Sequence, residues 1–519
     1  MSNLAGDWVA YHAQRAPDSV ALESADSGAT TTWGQLEERV ARVSGVLLGP
    51  GRLHRGDRVL VLSESDTRNF ELQFACMRIG AIYVPFNWRL SQAELSALCE
   101  HCAPALVVHD DSLRETAELL AREAGVPRLS WGGLGEHAEL DYESELGLAD
   151  PVGPSTENLL DEPSHILYTS GSTGTPKGVI ITPANIIWNY LNSQSDKQID
   201  GPACKFFNPL PLFHGGGLTA LSLPILLAGG SVAVARRFDA DQVAAALGDP
   251  ARGVTHITGV FATYKMITES ALWPEADLSG VKYLEMGGSR IPAWLQDAFR
   301  AKGQVLQSVY GATETGPAVM QMPQEHAAGR PDSIGRRVLH TQVRLVTPEG
   351  QDATPGEIGE IWVSGPSITR GYWGQEHKHD EFFSGSWFRT GDAAYRDDDG
   401  FYYAVDRFKN MYKSGGENVF PAEVEAVLAD CPDIAEIAII GVPDSRWGET
   451  GLAIVVSHGG VELTSADLAA FCGDRLARYK VPTRVVMTDS LPRNATGKLD
   501  LPRIRATYQQ QSAPAESKA

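Results

Sequence analysis

The chain has 519 residues and a mass of 56.0 kDa, which exceeds one average domain and predicts two or more packed units. Hydrophobic residues make up 43% and charged residues 21%, close to the averages of folded proteins, so a disordered chain is excluded. A formal net charge of −21 makes nucleic acid and anionic membranes poor partners, although a local basic pocket can still hold a small phosphorylated ligand.

The sequence contains no segment that is predicted to span a membrane. The most apolar candidate, residues 221–235, contains Pro224 and two glycines and is shorter than the roughly 20 residues a bilayer requires. The N-terminal segment lacks the basic and apolar regions of a secretory signal, so a cytoplasmic location is expected. Cys99 and Cys102 have CxxC spacing, but they fall in an amphipathic stretch and are predicted to be small apolar residues of a helix.

Strand-like and helical patterns alternate along the first three fifths of the chain. Strands are predicted over 58–62, 82–86, 105–110, 253–260, 281–288 and 304–311. Helical patterns follow three of them, over 69–81, 261–270 and 292–303. Such repetition, with runs of Val, Ile and Leu, is typical of parallel sheets covered by helices and indicates an α/β fold.

The pattern changes twice after residue 333. Short alternating strands separated by Gly and Asp-Gly turns, over 342–350, 356–365 and 385–407, predict a small antiparallel, barrel-like unit. From about residue 410 the pattern is that of a separate α+β domain of about 100 residues. Its predicted helices are 421–431 and 465–480, and its predicted strands are 436–442, 452–458 and 484–488.

A glycine- and hydroxyl-rich loop is the first segment with a chemical signature. Residues 168–178 read YTSGSTGTPKG and follow an apolar run. Small residues let backbone N–H groups approach phosphate oxygens, and Lys177 supplies a positive charge. The loop is not a Walker A motif, because Pro176 and Gly178 occupy positions that require Gly and Ser or Thr. A phosphate-binding loop is therefore favoured over a flexible surface loop, with candidate residues Thr169, Ser170, Gly171, Ser172, Thr173, Gly174 and Lys177.

Three further segments carry weaker signals. In YGATETG (310–316), Tyr310 can stack on a purine and Glu314 offers a hard oxygen ligand for Mg²⁺. The alternative is an ordinary helix N-terminus, where Thr and Glu are common as capping residues. Asp392 can accept hydrogen bonds from ribose hydroxyls and Arg407 can bind a phosphate. The alternative for this segment is an ordinary hairpin without a functional role. Lys498 follows a Gly-containing turn, where a lysine is usually a solvated charge.

Together, in this order and spacing, the four segments closely resemble the adenylate-forming superfamily of acyl-CoA synthetases, peptide-synthetase adenylation domains and firefly-type luciferases. The resemblance covers essentially the whole chain and extends to the segments 211–217, 287–292 and 478–482. It implies a large N-terminal AMP-binding domain of two αβ subdomains plus a distorted β-barrel, followed by a small mobile α+β C-terminal domain. The expected boundaries are 1–405 for the large domain, 406–409 for a hinge, 410–508 for the lid and 509–519 for a flexible tail.

The resemblance implies a reaction in two halves, with ATP, Mg²⁺ and coenzyme A as cofactors. A carboxylate first attacks the α-phosphate of ATP, giving an acyl-adenylate and pyrophosphate, and a thiol then displaces AMP. By analogy, the loop from Thr169 to Lys177 embraces the β- and γ-phosphates, Thr313 contacts the α-phosphate and Glu314 binds the metal. Lys498 would bridge the carboxylate and the α-phosphate, where its charge meets the developing negative charge.

The same analogy supplies the nucleoside site. Asp392 would bind the ribose hydroxyls with Arg407 nearby. Tyr310 would stack on the adenine beside Gly287 and Gly288, and Gly311 is a further candidate cofactor-binding residue.

For the second half-reaction the resemblance implies that the C-terminal domain rotates about Lys409 and replaces Lys498 by the segment that contains Gly415 and Gly416, which would line the thiol path. His214 falls where the family has a residue between the acyl pocket and this path, and a histidine packed in the core is the alternative. The chain departs from the usual hinge pattern at Asn410, where Asp is common.

The expected substrate is a small-molecule carboxylic acid of the fatty, aryl or bulky polycyclic class. Amino-acid-activating relatives place Asp where this chain has His214, so an ordinary α-amino acid is disfavoured. The main hypothesis is an acid–CoA ligase. The alternatives are an enzyme that hands its adenylate to a carrier protein or another partner and, less favoured, a non-catalytic nucleotide-binding relative. A homodimer is consistent with the habit of the family.

Overall fold

The computed structural model describes residues 6–131, 140–155, 159–169, 177–415, 417–493 and 499–508. The chain forms two compact units. The first contains residues 1–343 and 363–388, and the second contains residues 344–362 and 389–519. The expected boundaries at a hinge over 406–409 and a lid from 410 stay a prediction.

Most of the strands are short, with two to six residues each. In chain order they are β1 (Val20–Ser24), β2 (Thr30–Thr32), β3 (Arg58–Leu62), β4 (Ile82–Pro85), β5 (Leu106–His109), β6 (Arg128–Ser130), β7 (Leu140–Asp141), β8 (His165–Thr169), β9 (Lys177–Ile181), β10 (Lys205–Asn208), β11 (Ser231–Val234), β12 (His256–Gly259), β13 (Tyr283–Gly287), β14 (Leu306–Tyr310), β15 (Met320–Gln321), β16 (Arg336–Arg337), β17 (Gln342–Val346), β18 (Gly359–Ser364), β19 (Phe383–Ser384), β20 (Trp387–Arg396), β21 (Tyr402–Arg407), β22 (Tyr412–Ser414), β23 (Glu417–Val419), β24 (Ile434–Asp444), β25 (Gly448–Ser457) and β26 (Arg484–Met487).

Helices fill most of the connections between the parallel strands. They are α1 (Trp8–Arg15), α2 (Trp33–Leu48), α3 (Arg68–Ile79), α4 (Gln92–Cys102), α5 (Arg114–Ala124), α6 (Tyr142–Leu148), α7 (Pro183–Ser193), α8 (Gly215–Leu218), α9 (Ser222–Leu227), α10 (Ala240–Leu247), α11 (Phe261–Glu269), α12 (Ala293–Arg300), α13 (Gln324–Ala327), α14 (His379–Phe382), α15 (Pro421–Leu428), α16 (Ser465–Cys472) and α17 (Leu501–Tyr508).

The first unit contains two large sheets that are parallel in their interiors. The order of one is β7-β6-β5-β3-β4-β8-β9, in which only the β8–β9 pair is antiparallel. The order of the other is β16-β15-β14-β13-β12-β10-β11-β1-β2, with antiparallel pairs only at its two ends. Side chains from both sheets and from α2 and α3 share one core, in which Trp33, Phe70 and Tyr83 are fully buried.

The predicted antiparallel, barrel-like segment is also present. Strands β17, β18, β20 and β19 form a sheet in that order, and β21 pairs with β20. The C-terminal α+β segment forms the sheet β23-β22-β25-β24, with β26 parallel to β25. The predicted α/β fold class, with a half-barrel sheet and a separate C-terminal α+β domain, is confirmed.

One predicted helix is too long. The helical pattern over 465–480 becomes a helix only over Ser465–Cys472. Gly473 has φ +48°, a left-handed conformation that ends the helix, and short 3₁₀ turns follow.

The cysteines follow the structural expectation. Cys99 and Cys102 lie in α4 and are buried, and burial raises the pKa of their thiols to about 11 and about 12. All six cysteines of the chain are unpaired thiols. Among the described residues, no helix combines the length and the apolar character needed to cross a bilayer.

Candidate active site

The candidate nucleoside site begins at the carboxyl edge of the nine-stranded sheet. Gly287 ends β13 and pairs in register with Val309 of the neighbouring parallel strand β14. A Cβ atom on Gly287 would lie 3.2 Å from the Val309 side chain, and Gly288 has φ +81°, so both positions suit glycine. Tyr310 ends β14 and is half-buried. Ligands of open parallel sheets bind outside this edge, so the predicted adenine platform lies at a suitable place.

The chain then makes a tight turn in which Gly311 has no room for a side chain. A Cβ atom there would lie 2.3 Å from the backbone oxygen of Pro317. A 3₁₀ turn, Thr313–Thr315, follows, and the Thr315 hydroxyl accepts a hydrogen bond of 2.8 Å from the backbone N–H of Ala312. The turn brings the Thr313 and Glu314 side chains to the edge of the sheet.

Glu314 is held by contacts on two sides. Its backbone oxygen accepts a 2.7 Å hydrogen bond from the N–H of Thr369, and its Oε1 accepts from the Tyr372 hydroxyl at 3.0 Å. Both partners lie more than 50 positions along the chain, so the sequence pattern gave no signal for them. The carboxylate is half-buried, and its orientation is fixed by Tyr372.

Lys177 lies beside this carboxylate. Thr169 at the end of β8 and Lys177 at the start of β9 are register partners across the hairpin, and residues 170–174, predicted to bind phosphate, lie outside the described residues. The Lys177 ammonium is 4.1 Å from the ring centre of Phe382 and 5.2 Å from that of Tyr372. Burial lowers the pKa of Lys177 and the nearby Glu314 charge opposes that shift.

The segment 211–217 reaches the same place. A Cβ atom on Gly215 would lie 3.5 Å from the Thr313 hydroxyl, so the two motifs are neighbours. His214 is exposed, and its Nδ1 accepts a 3.0 Å hydrogen bond from the N–H of Gly216. A histidine packed in the core is therefore excluded, and the ring stands at the surface of the loop.

Three arginines and two aromatic residues lie together next to this loop, and the sequence did not predict this group. We call it the basic cluster, and its members are Arg89, Arg236, Arg237, Trp88 and Phe213. The Arg89 guanidinium lies 4.6 Å from the Trp88 ring centre and 5.6 Å from that of Phe213, and Arg237 lies 5.5 Å from Trp88. The carboxylate of Glu64, only 4% exposed, pairs with Arg236 and Arg237. Burial alone would raise the pKa of Glu64, but the two guanidinium groups lower it.

The second unit contains the predicted ribose-binding pair. Asp392 on β20 and Arg407 on β21 are cross-strand partners, and Arg407 Nε lies 2.5 Å from Asp392 Oδ1. Arg407 also donates to the backbone oxygen of Thr390 at 3.3 Å. The two candidates are therefore brought together, as an ion pair on one hairpin.

The segment that follows contains the predicted hinge. Lys409 is exposed within a 3₁₀ turn, Phe408–Asn410. Asp406 accepts hydrogen bonds of 2.9 Å from the Asn410 amide and from the N–H of Ala422. Asn410 thus supplies a hydrogen-bond donor to Asp406 that an ionised Asp at this position would not.

Gly415 is the described member of the glycine pair, and Gly416 and Lys498 lie outside the described residues. Gly415 has φ +61°, and a Cβ atom there would lie 2.9 Å from the ring of Trp447. A side chain at 415 would therefore be strained as well as crowded.

The residues present suit a magnesium–nucleotide complex rather than a metal held by protein alone. No group of three or more His, Cys, Asp or Glu side chains that could hold a metal occurs in the ranges the structure describes. Mg²⁺ with a nucleotide typically takes one or two carboxylates, water and phosphate oxygens. Glu314, oriented by one hydrogen bond to Oε1, fits that role. A bound Mg²⁺ supplies charge neutralisation to the triphosphate.

Comparison with known proteins identifies the class. Residues 9–373 match the AMP-binding enzyme family, and residues 423–498 match the AMP-binding enzyme C-terminal domain. The chain is 37% identical over 507 residues to a feruloyl-CoA synthase from an Amycolatopsis species, covering 97% of this chain and 99% of that protein. It is 34% identical over 502 residues to indoleacetate–CoA ligase from Aromatoleum aromaticum, covering 95% of this chain and 96% of that protein.

Solved structures of related enzymes have the same fold as this chain. ATP-bound MatB from Rhodopseudomonas palustris superposes with a TM-score of 0.87 at 29% identity, covering 97% of this chain and 99% of that chain. The o-succinylbenzoate coenzyme A synthetase from Bacillus subtilis, solved with ATP and magnesium ion, gives a TM-score of 0.82 at 28% identity, covering 95% of this chain and 98% of that chain.

The chain belongs to the AMP-binding enzyme family, the adenylate-forming superfamily that its motifs resemble. Within that family it is an AMP-forming acid–thiol ligase, which activates a carboxylic acid with ATP and joins it to coenzyme A through an acyl-adenylate. The expected cofactors ATP, Mg²⁺ and coenzyme A are confirmed.

Proposed function

We propose that the acid joined to coenzyme A is an aryl carboxylic acid, in which an aromatic ring is carried on a short chain. The observation that carries this is an aromatic surface beside the nucleoside edge. Phe261 and Trp294 make an edge-to-face contact with ring centres 6.1 Å apart, and Trp294 is 48% exposed. Exposed apolar rings at the carboxyl edge of a sheet are suited to hold another ring.

The position of this surface supports the assignment. Gly259 of β12 pairs with Met286 of β13, so the start of α11 at Phe261 lies beside the Gly287–Gly288 turn. Val260, in between, is 37% exposed. The names of the relatives also describe aryl acids, namely ferulate, indoleacetate and succinylbenzoate. Fatty and polycyclic acids are the competing classes.

The basic cluster supports coenzyme A as the acceptor. Coenzyme A ends in a phosphorylated adenosine, whereas the pantetheine of a carrier protein does not. Arg89 and Arg237 beside the Trp88 ring combine positive charge with an aromatic face, the combination that binds a phosphorylated base. In a chain with a net charge of −21, such a cluster is a specific feature and not a consequence of composition.

We assign the remaining roles as the motifs suggest. Thr169 and Lys177 would bind the β- and γ-phosphates, Thr313 the α-phosphate and Glu314 the magnesium ion. His214 would stand between the acid and the incoming thiol. A carboxylate must approach a polyanion in this reaction, so fixed cations and donors are expected to matter more than proton transfer.

A reducing compartment, the cytoplasm, is the proposed location, since all six cysteines are unpaired thiols. A homodimer remains part of this proposal on family habit alone.

The test is one reaction mixture that contains enzyme, Mg-ATP, coenzyme A and equal amounts of fatty, aryl and polycyclic acids, analysed by mass spectrometry. We expect aryl-CoA and AMP to dominate the products. Fatty or polycyclic acyl-CoA would contradict the aryl assignment alone. Acyl-adenylate without any acyl-CoA would point to a carrier protein as acceptor, in which case Arg89→Ala would leave the reaction unchanged.

A further inference from the structure

The ribose candidate Asp392 follows a backbone irregularity. Gly391 has φ +74° in the middle of β20, a conformation that departs from extended strand geometry. Such a residue interrupts the ladder of hydrogen bonds and re-aims the side chain that follows it. The direction in which the Asp392 side chain leaves the backbone therefore depends on what holds this bend, in addition to its ion pair with Arg407.

Two side chains hold it. Glu360 on β18 accepts a 3.1 Å hydrogen bond from the N–H of Gly391 through Oε1. Thr390 accepts a 3.1 Å hydrogen bond from the N–H of Asp392, and its own hydroxyl donates to the backbone oxygen of Ile361 at 2.8 Å. The N–H groups of the bend are thus bound by side chains of the same unit.

The Glu360 carboxylate is itself fixed. Its Oε2 accepts a 2.8 Å hydrogen bond from the indole N–H of Trp362 and lies 3.6 Å from Arg389 Nε, and its side chain is 15% exposed. Arg389 and Arg344 both lie over the Trp362 ring, at 5.6 and 5.9 Å from its centre. Both oxygens of Glu360 are engaged, so the carboxylate connects a rigid tryptophan to the bend.

We propose that Glu360 is a positioning residue for nucleotide binding, which holds the Gly391 bend so that Asp392 faces the ribose hydroxyls. This inference rests on the proposed role of Asp392. If the Glu360 carboxylate only stabilises the sheet, its loss should weaken the binding of every nucleotide to the same extent. If it orients Asp392, its loss should weaken only the part of binding that depends on the ribose hydroxyls.

The experiment compares ATP, 2′-deoxy-ATP and 3′-deoxy-ATP by kcat/KM for adenylate formation. Hydrogen bonds to a charged group predict that the native enzyme prefers ATP by about 10- to 100-fold. In Glu360→Ala we expect kcat/KM for ATP to fall to near the values of the deoxynucleotides, so that the preference drops below about 3-fold. Glu360→Gln, which keeps an oxygen for the Gly391 N–H, should restore most of it.

Asp392→Ala tests the roles of Asp392 and Glu360 separately, because it removes both acceptor oxygens at position 392. If Asp392→Ala keeps the native preference, the ribose role of Asp392 is wrong and the inference falls with it. If Asp392→Ala removes the preference but Glu360→Ala lowers kcat/KM for all three nucleotides equally, only the role of Glu360 is overturned. Glu357→Ala, an exposed glutamate on the same approach to β18, should leave the preference unchanged.

A second variant covers the case in which Glu360→Ala does not fold. Trp362→Phe removes the indole N–H that binds Glu360 Oε2 and keeps most of the ring. We expect it to lower the preference for ATP by about 2- to 5-fold, because one hydrogen bond to a charged group is lost. An unchanged preference in a folded Trp362→Phe would overturn the proposal.

Discussion

At the scale of single residues, one tyrosine contacts two side chains of opposite charge. The Tyr372 hydroxyl donates to Glu314, and its ring lies 5.2 Å from the Lys177 ammonium. The Glu314 carboxylate, the Lys177 ammonium and the Tyr372 ring thus lie together. Charged groups that the fold holds in place contribute most to electrostatic stabilisation, because they need little reorganisation during the reaction.

We expect Glu314→Gln to lose the contact with magnesium. The variant keeps the shape of the side chain and removes its charge, so the Mg²⁺ concentration for half-maximal adenylation should rise at least about 10-fold and kcat fall about 10²-fold. Tyr372→Phe is the matched control. It removes one hydrogen bond and keeps the ring, so both quantities should change less than about 10-fold. An unaltered Mg²⁺ requirement in Glu314→Gln would exclude Glu314 as a ligand.

The motif residues could be found from the sequence, because each lies in a short stretch whose composition is chemically unusual. Their partners could not. Tyr372 and Glu360 are single residues of common types, and each acts on a motif residue more than 30 positions away. Only the packing of separate strands decides that Glu360 faces the Gly391 bend, and a period of two along β18 does not contain that information.

At the scale of secondary structure, the connection from β14 to the 3₁₀ turn is fixed by a close backbone approach. We expect Gly311→Ala to lower the free energy of unfolding by about 1–3 kcal/mol, because a Cβ atom would meet a carbonyl oxygen instead of a flexible side chain. The KM for ATP should rise as well, since Tyr310 moves with the turn. Gly329→Ala, where the nearest atom is 3.9 Å away, should change neither the denaturant midpoint nor KM.

Helix α15 carries a carboxyl group with an unusual titration. Burial, aided by the charge of Asp406, raises the pKa of Glu425 from 4.5 to about 7, against a hydrogen bond from the N–H of Ile439. The folded carboxyl holds its proton more tightly than the unfolded one, so the free energy of unfolding should fall as pH rises from about 4.5 to about 7.

Glu425→Gln keeps the acceptor for Ile439 and has no proton to lose. Its denaturant midpoint should therefore vary less over this pH window, and above pH 7 it should exceed that of the native chain. Glu462→Gln, an exposed position, serves as the control and should follow the native curve. If the native and Glu425→Gln curves ran parallel, the raised pKa of Glu425 would be wrong.

Most helices and strands could be predicted because their period and composition agree with the environment they enter. The helix over 465–480 was overextended, since the pattern of apolar residues continues past Cys472. The left-handed conformation of Gly473 stops it, and a glycine inside a helical pattern does not reveal its φ angle.

At the scale of the whole molecule, the two half-reactions place conflicting demands on one chain. Adenylation needs a cation at the carboxylate and α-phosphate, whereas thiol attack needs that space. We expect Lys498→Ala to lower the rate of adenylation at least about 10²-fold while thiolysis of supplied acyl-adenylate keeps most of its rate. The two rates are measured separately, by pyrophosphate exchange and by acyl-CoA formation from synthetic adenylate. An equal loss in both would refute the assignment of Lys498.

The proposed change between the two states passes through Lys409. Proline fixes φ near −65° and removes the backbone freedom that a rotation about residue 409 requires, so Lys409→Pro should impair the step that needs the rotation. The adenylation rate would then stay within about 3-fold of native, while acyl-CoA formation falls at least about 10-fold because the rotation about this residue is blocked.

Lys413→Pro is not a suitable control, because proline would remove the Lys413 N–H, which donates a 2.8 Å hydrogen bond to Glu449. Lys409→Ala is the suitable control, because it removes the same side chain and leaves φ free. It should retain most of the adenylation and acyl-CoA-forming activities. If Lys409→Ala matched the proline variant, the effect would belong to the ammonium group and not to the backbone, and the hinge would have to be sought at another residue.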